Sequence, residues 1–367
     1  MKIFKRILII ALLIAIIYMV YYLYLKFNQD NISISNLMAP VFSGETNSVI
    51  NLDSSGSYNS TSIAGIEDST SKENVSDTTS KNYYYYYEQL NTNAKIIYKK
   101  LEENIDNLTR TNFKIDFGNS FNSLLSEANG TEKLSVYFQA AIDAFFYDHP
   151  ELFYIDSTKI SLYTRSVSLL GKTTYYVTIV PNSNTNYLSS AFPTEEQAKQ
   201  AIAQVENIKD SLISKTSGND YNKIKQVHDT LVNMISYDTT YSRTNTHNLY
   251  GALVEKRVVC EGYSKAFKYI LDSMGIPCIL VGGTGTNSSG KTEAHMWNYV
   301  KLNDNWYAVD STWDDPIIIG GKTKNTIRHD YFLKGSITFN KSHVINTKIS
   351  ENGLNFQVPT ISIYDYR

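Results

Sequence analysis

Residues 258–281 read VVCEGYSKAFKYILDSMGIPCILV, and residues 294–316 read AHMWNYVKLNDNWYAVDSTWDDP. In the first stretch Tyr263, Ala266, Phe267, Ile270, Leu271 and Met274 fall at helical spacing, and Gly275 and Pro277 stop the helix. Cys260 opens that helix, three residues before Tyr263 and on the same stripe. A thiol there lies near the positive end of the helix dipole, which favours the nucleophilic thiolate. Cys278, inside the apolar run Cys278–Val281, reads as core filling of a buried strand. In the second stretch Met296–Leu302 and Trp306–Asp310 read as strands around the Asn303-Asp304 turn.

A thiolate nucleophile needs a base, and the base needs an orienting group. A two-residue turn at Asn303-Asp304 pairs Leu302 with Asn305 and sets Asp310 opposite Trp297, diagonal to His295. A four-residue loop would set Asp310 directly opposite His295. Either register brings imidazole and carboxylate within reach, whereas a one-residue bulge would put them on opposite faces.

The words around these residues resemble the bacterial transglutaminase-like superfamily. They are Val259-Cys260-Glu261-Gly262-Tyr263-Ser264, Gly275-Ile276-Pro277-Cys278, Ala294-His295-Met296-Trp297-Asn298-Tyr299-Val300 and Trp306-Tyr307-Ala308-Val309-Asp310-Ser311-Thr312-Trp313-Asp314-Asp315-Pro316. The similarity extends over residues 220–335, and more loosely to Asp148-His149-Pro150. It implies an α+β chain with a papain-like core, a cysteine-bearing helix packed on an antiparallel sheet. It also implies that Cys260 attacks a carboxamide carbonyl, that His295 moves the proton and that Asp310 orients the imidazole. A thioester would form and be resolved by a lysine amine or by water. The backbone N–H of Cys260 is the natural first oxyanion donor. For the second, Tyr241, His247 and Asn248 stay open. No cofactor and no metal ion is implied.

Upstream, Ile7–Leu25 is uncharged, preceded by Lys2, Lys5 and Arg6 and followed by Lys26. Nineteen residues at about 1.5 Å each span roughly 28 Å, enough to cross a bilayer. Four tyrosines crowd its far end, where such rings favour the membrane interface. Residues 1–27 therefore read as a single-pass signal anchor, with the rest of the chain extracytoplasmic at the cell membrane. Residues 28–82 read as a disordered linker. Ser, Thr and Asn make up 21 of the 40 residues in 43–82, without apolar periodicity. Residues 83–190 read as a helical lead-in, all-helical to about 150, followed by a hairpin at Gly171. Residues 191–367 read as the catalytic domain, with a further strand at Thr326–Leu333. The tyrosine run Tyr83–Tyr87 reads as a domain edge packing its aromatics rather than a sugar platform.

Composition removes other classes. The formal net charge of −2 lacks the basic excess of a nucleic-acid binder. Two cysteines exclude a disulfide scaffold and a four-cysteine zinc site. Gly285–Thr292 fits a P-loop pattern, but a strand follows it rather than a helix, so no nucleotide partner is expected. His228, on the apolar stripe Ile224-Val227-His228-Leu231, reads as a satisfied core histidine, and Asp314 and Asp315 as cleft-lining or turn-capping groups. The partners expected are protein or peptide substrates at the cell surface. A cysteine protease or amidase with the same triad, and a non-catalytic surface binding module, are the alternatives.

Overall fold

A computed structural model describes residues 42–52, 84–182, 185–315 and 327–367. The apolar stretch Ile7–Leu25 lies outside them, as does most of the serine-rich linker. Among the described residues no helix is long and apolar enough to cross a membrane.

The chain runs through β1 (Phe42–Asn51), α1 (Thr92–Glu102), β2 (Ile115–Gly118), α2 (Gly130–Asp148), β3 (Ile160–Leu169) and β4 (Lys172–Pro181). It continues through α3 (Glu195–Ser214), α4 (Asp220–Met234), β5 (Ser236–Tyr237), β6 (Arg257–Val258) and α5 (Cys260–Ser273). Strands β7 (Cys278–Thr286), β8 (Thr292–Leu302), β9 (Asn305–Val309) and β10 (His343–Ile345) complete it. The architecture is α+β, with the cysteine-bearing helix α5 packed on β7 and β8 of an antiparallel sheet. One antiparallel sheet has the order β1-β3-β4-β2, the other β10-β7-β8-β9, and β5 and β6 form a short parallel pair.

Caps start the helices where the sequence marks them. The side chains of Asn91, Thr194 and Asn219 accept from the backbone N–H groups of Ala94, Gln197 and Asn222. Leu170 and Gly171 both take positive φ in the β3–β4 turn, as the right-handed twist of the strands favours.

Three expectations are corrected. Residues 42–51, read as linker, form the edge strand β1 along β3, where Thr46 and Ser48 hydroxyls bond those of Ser166 and Thr164. Polar cross-strand pairs hold this strand, so the apolar alternation that flags a strand is missing. The lead-in is not all-helical, because β2 pairs with β4. The expected strand at Thr326–Leu333 does not form among the described residues 327–333. Instead Tyr331 O accepts from Asp310 N, its N–H donates to Asp314, and Lys334 bridges Ala308.

One contiguous apolar core includes residues from Tyr86 to Ile361. Tyr86 from the tyrosine run is buried, with its hydroxyl on the Leu280 carbonyl of β7, and Tyr85 meets Trp306 edge-on. The aromatic run therefore closes the lead-in onto the second sheet.

β10 lies so close to β7 that a Cβ on Gly283 would sit 2.1 Å from the Val344 carbonyl oxygen and 2.7 Å from the Trp297 ring. Gly283→Ala should push β10 away and cost about 1–3 kcal/mol, as overpacking does. Chemical denaturation would show this as a lowered midpoint at unchanged slope; an unchanged midpoint would contradict the close fit.

Candidate active site

Helix α5 begins at Cys260 because Val259 is extended and the helical turn closes from Gly262 N–H to Val259 O at 3.0 Å. Gly262 must lack a side chain there, since a Cβ would lie 2.4 Å from Cβ of Val258. The helix is tied to the sheet by polar bonds. Ser264 Oγ donates to Met296 O at 3.0 Å, and Asn298 Nδ2 donates to Ser264 O at 3.0 Å and to Ile279 O at 3.3 Å. These bonds fix half-buried Cys260 against β8, which carries His295.

The β8–β9 register is the one set by a two-residue turn. Leu302 pairs with Asn305 and Asn298 with Val309, while Asn303 and Asp304 take φ of 50° and 61°. Asp310 follows directly, diagonal to His295, and the imidazole Nε2 lies 2.7 Å from Asp310 Oδ2. The Cys260 side chain hydrogen-bonds the same imidazole, which leaves Nδ1 as the nitrogen facing the thiol. The three residues singled out in the sequence therefore form one chain of contacts.

Burial alone would lower the His295 pKa, but the Asp310 carboxylate and Cys260 outweigh it and push it up to about 10. Burial would likewise raise Asp310, yet His295 and a second imidazole, His343, hold it well below the usual carboxylate range. His343 Nε2 lies 3.1 Å from Asp310 Oδ2, and Oδ1 accepts the Thr312 and Trp313 N–H groups at 3.0 and 3.2 Å. Trp313 stacks on His295 with ring centroids 5.1 Å apart.

His295 opens on a cleft of about 600 Å³ lined by Tyr237, Tyr241, Lys291, Glu293 and Trp313 among others. Of the open candidates for the second oxyanion donor, only Tyr241 lines this cleft. It is exposed, with φ of 53°. His247 bonds Glu261 at 3.0 Å and Asn248 bonds Asn245 at 3.0 Å; both line a different cavity. Sequence reading missed Tyr237, whose hydroxyl lies 3.4 Å from that of Tyr241. Burial raises its pKa first, the hydrogen bond to Tyr241 next, and the charge of Cys260 adds to this. It also missed His343, for which no local word gives a signal.

The remaining marked residues have structural partners. Cys278 is buried opposite Val300, and burial pushes its thiol up. Asp314 meets His228 Nε2 at 3.1 Å, and Asp315 accepts from the Tyr263 hydroxyl. His228 Nδ1 and His329 Nε2 both contact Asp229 Oδ1, at 3.0 and 2.7 Å, a donor set close enough to share a metal ion. The Lys225 ammonium already occupies the other oxygen of Asp229. Gly285–Thr292 closes a hairpin in which Thr286 pairs with Thr292, so no helix N-terminus is available for phosphate.

Comparison with known proteins agrees with this core. Residues 208–311 match the transglutaminase-like superfamily. Kyphoscoliosis peptidase from Mus musculus and from Homo sapiens is 25% identical over 142 residues, 35% of this chain but only 21% of theirs. The match thus spans about a fifth of those relatives. Among solved structures, one described as a TGase aligns over 45% of this chain and 46% of its own, at 15% identity and TM-score 0.29. The putative cysteine protease from Cytophaga hutchinsonii aligns over 43% of this chain and 59% of its own, at 14% identity and TM-score 0.25. The periplasmic domain of TgpA from Pseudomonas aeruginosa aligns over 42% and 72%, at 13% identity and TM-score 0.23. The matched stretch ends one residue after Asp310, so Cys260, His295 and Asp310 all lie within a transglutaminase-like superfamily domain at residues 208–311.

Proposed function

We propose that this chain is a membrane-anchored, extracytoplasmic thiol acyltransferase acting on protein carboxamides. The observation that carries the reading is the contact chain from Cys260 through His295 to Asp310 at the wall of an open cleft. Cys260 Sγ, its proton already passed to His295, which titrates near 10 and holds it at neutral pH, attacks the carbonyl carbon of a glutamine carboxamide. The C–N bond of the tetrahedral intermediate then breaks, and ammonia leaves with the proton returned by His295. A lysine amine attacks the resulting thioester, giving an amide cross-link and the free thiol. Asp310 keeps the imidazole oriented and balances its positive charge while it holds the proton. The anchor at residues 1–27 would hold the domain at the cell surface, since an ectodomain with 30 Lys+Arg against 36 Asp+Glu gains nothing from anionic lipid.

The test supplies a labelled primary amine and a glutamine-containing acceptor protein. Incorporation with release of ammonia is expected. The curated relatives are named peptidases, which favours hydrolysis as the second reading; new peptide termini without amine incorporation would establish it. Tyr237 is the further oxyanion donor in this reading, beside the Cys260 N–H. Tyr237→Phe should lower kcat about 10²-fold with little change in KM, the effect of removing one such donor. A kcat within twofold of wild type would remove Tyr237 from this role.

A further inference from the structure

We propose that His343 is a positioning residue for the acyl-transfer site: it shares the Asp310 carboxylate with His295 and thereby limits how tightly that imidazole holds its proton. The inference rests on the acyl-transfer reading for its meaning, but its geometry stands apart from it. His343 lies 32 residues past the end of the matched stretch, on edge strand β10, where it pairs with Gly285 of β7. Gly285 has no room for a side chain, because a Cβ would meet the Trp313 ring at 2.8 Å and His295 Cδ2 at 3.3 Å. The backbone of β7 therefore admits His343 and His295 to the same carboxylate from either side.

The placement is fixed by packing. His343 is 2% exposed and stacks on Phe339 at 3.9 Å, with Trp313 at 4.5 Å and Trp297 at 5.0 Å. Nε2 faces the Asp310 carboxylate, which can only accept, and so carries the proton aimed at it; the Ser342 hydroxyl lies 3.0 Å from Nδ1. Buried in this box, His343 does not itself line the cleft; its polar link to His295 is the shared Asp310 carboxylate, while its ring lies 5.6 Å from the His295 ring and packs on Trp313, which stacks on His295.

The direction of its effect follows from charge sharing. Asp310 Oδ2 accepts from both imidazoles, while Oδ1 is filled by Thr312 and Trp313. A second N–H on Oδ2 draws charge from the carboxylate and weakens its hold on the His295 proton. The other groups facing the pair are Cys260 from α5, Tyr237 from β5, Glu293 from β8, Asp314 from the same turn, and Tyr331 with Arg328 behind it. Of these, Tyr331 also packs edge-on against the His343 ring, 5.5 Å between centroids, a contact that His343→Phe would keep.

The experiment follows His295 by NMR in histidine-labelled protein, in wild type, His343→Phe and His343→Gln. Phenylalanine keeps the stack on Phe339 but loses the donor, and glutamine restores an N–H at the Nε2 position. The His295 titration should move upward by about half a pH unit or more in His343→Phe and return to the wild-type position in His343→Gln. No movement, a downward movement, or the same movement in both variants would overturn the proposal. If His343→Phe fails to fold, the wild-type spectrum decides: a His343 Nε2 without its proton at neutral pH would overturn it, and a protonated Nε2 that loses its Asp310 contact in Asp310→Asn would support it. No substrate is needed, so a failure to incorporate amine would end the acyl-transfer reading and leave this result standing.

Discussion

Cys260→Ala is expected to abolish amine incorporation, lowering kcat by about 10⁵- to 10⁶-fold, the scale on which removal of a covalent nucleophile acts. Nothing else in the cleft can take over the covalent step. The second cysteine, Cys278, is buried opposite Val300 in β7 and faces the core. The fold should survive, since the Cys260 side chain is half-buried and the helix start is held by Ser264, Asn298 and the Gly262–Val258 contact. Iodoacetamide should accordingly add one carboxamidomethyl group to the folded wild-type protein and none to Cys260→Ala. Cys278→Ala should show the opposite pattern: alkylation and turnover retained, with stability lowered by about 1–2 kcal/mol for the lost buried sulfur. Substantial amine incorporation by Cys260→Ala would refute the thioester route.

Much of this site was legible because it obeys short-range rules. Helical spacing from Tyr263 to Met274 set Cys260 at a helix start. The Asn303-Asp304 turn fixed the pairing of β8 with β9 and hence the diagonal from His295 to Asp310. Both inferences depend on local backbone periods that tertiary packing seldom overrides. What escaped depends on contacts between distant residues. β1 is held by hydroxyl pairs across the sheet rather than by an apolar face. Tyr237 reaches the cleft from a two-residue strand too short to show any period. His343 is brought to Asp310 by β10, a three-residue edge strand 33 residues away in sequence. Its neighbours Phe339, Trp297 and Trp313 form a box that no linear pattern encodes.

The same pairing logic gives Asp310→Asn a large effect for a different reason. An asparagine oxygen can replace Oδ1 in accepting from Thr312 and Trp313. Its amide N–H₂ then lies where Oδ2 was, facing the Nε2–H groups of both His295 and His343. Donor meets donor twice, and His295 can relieve this only by moving its proton to Nδ1. That nitrogen faces Cys260 and must be free to take the thiol proton, so the base is lost while the fold remains. A loss in kcat of about 10⁴-fold is expected, as in serine-protease triads where the same change traps the wrong tautomer. Stability should respond with a defined pH signature. Asp310 titrates lower in the folded chain, so its contribution is present above about pH 4 and fades as pH falls further. His295 titrates higher, near 10 against an ordinary 6.5, so its contribution is whole below 6.5 and declines as pH rises to about 10. The stability gap between wild type and Asp310→Asn should therefore be widest between about pH 4 and pH 6.5 and shrink steadily above that window. Denaturation midpoints measured from pH 4 to 10 would show it. A gap that stays constant to pH 10, or turnover within tenfold of wild type, would mean that the carboxylate does not hold the His295 proton.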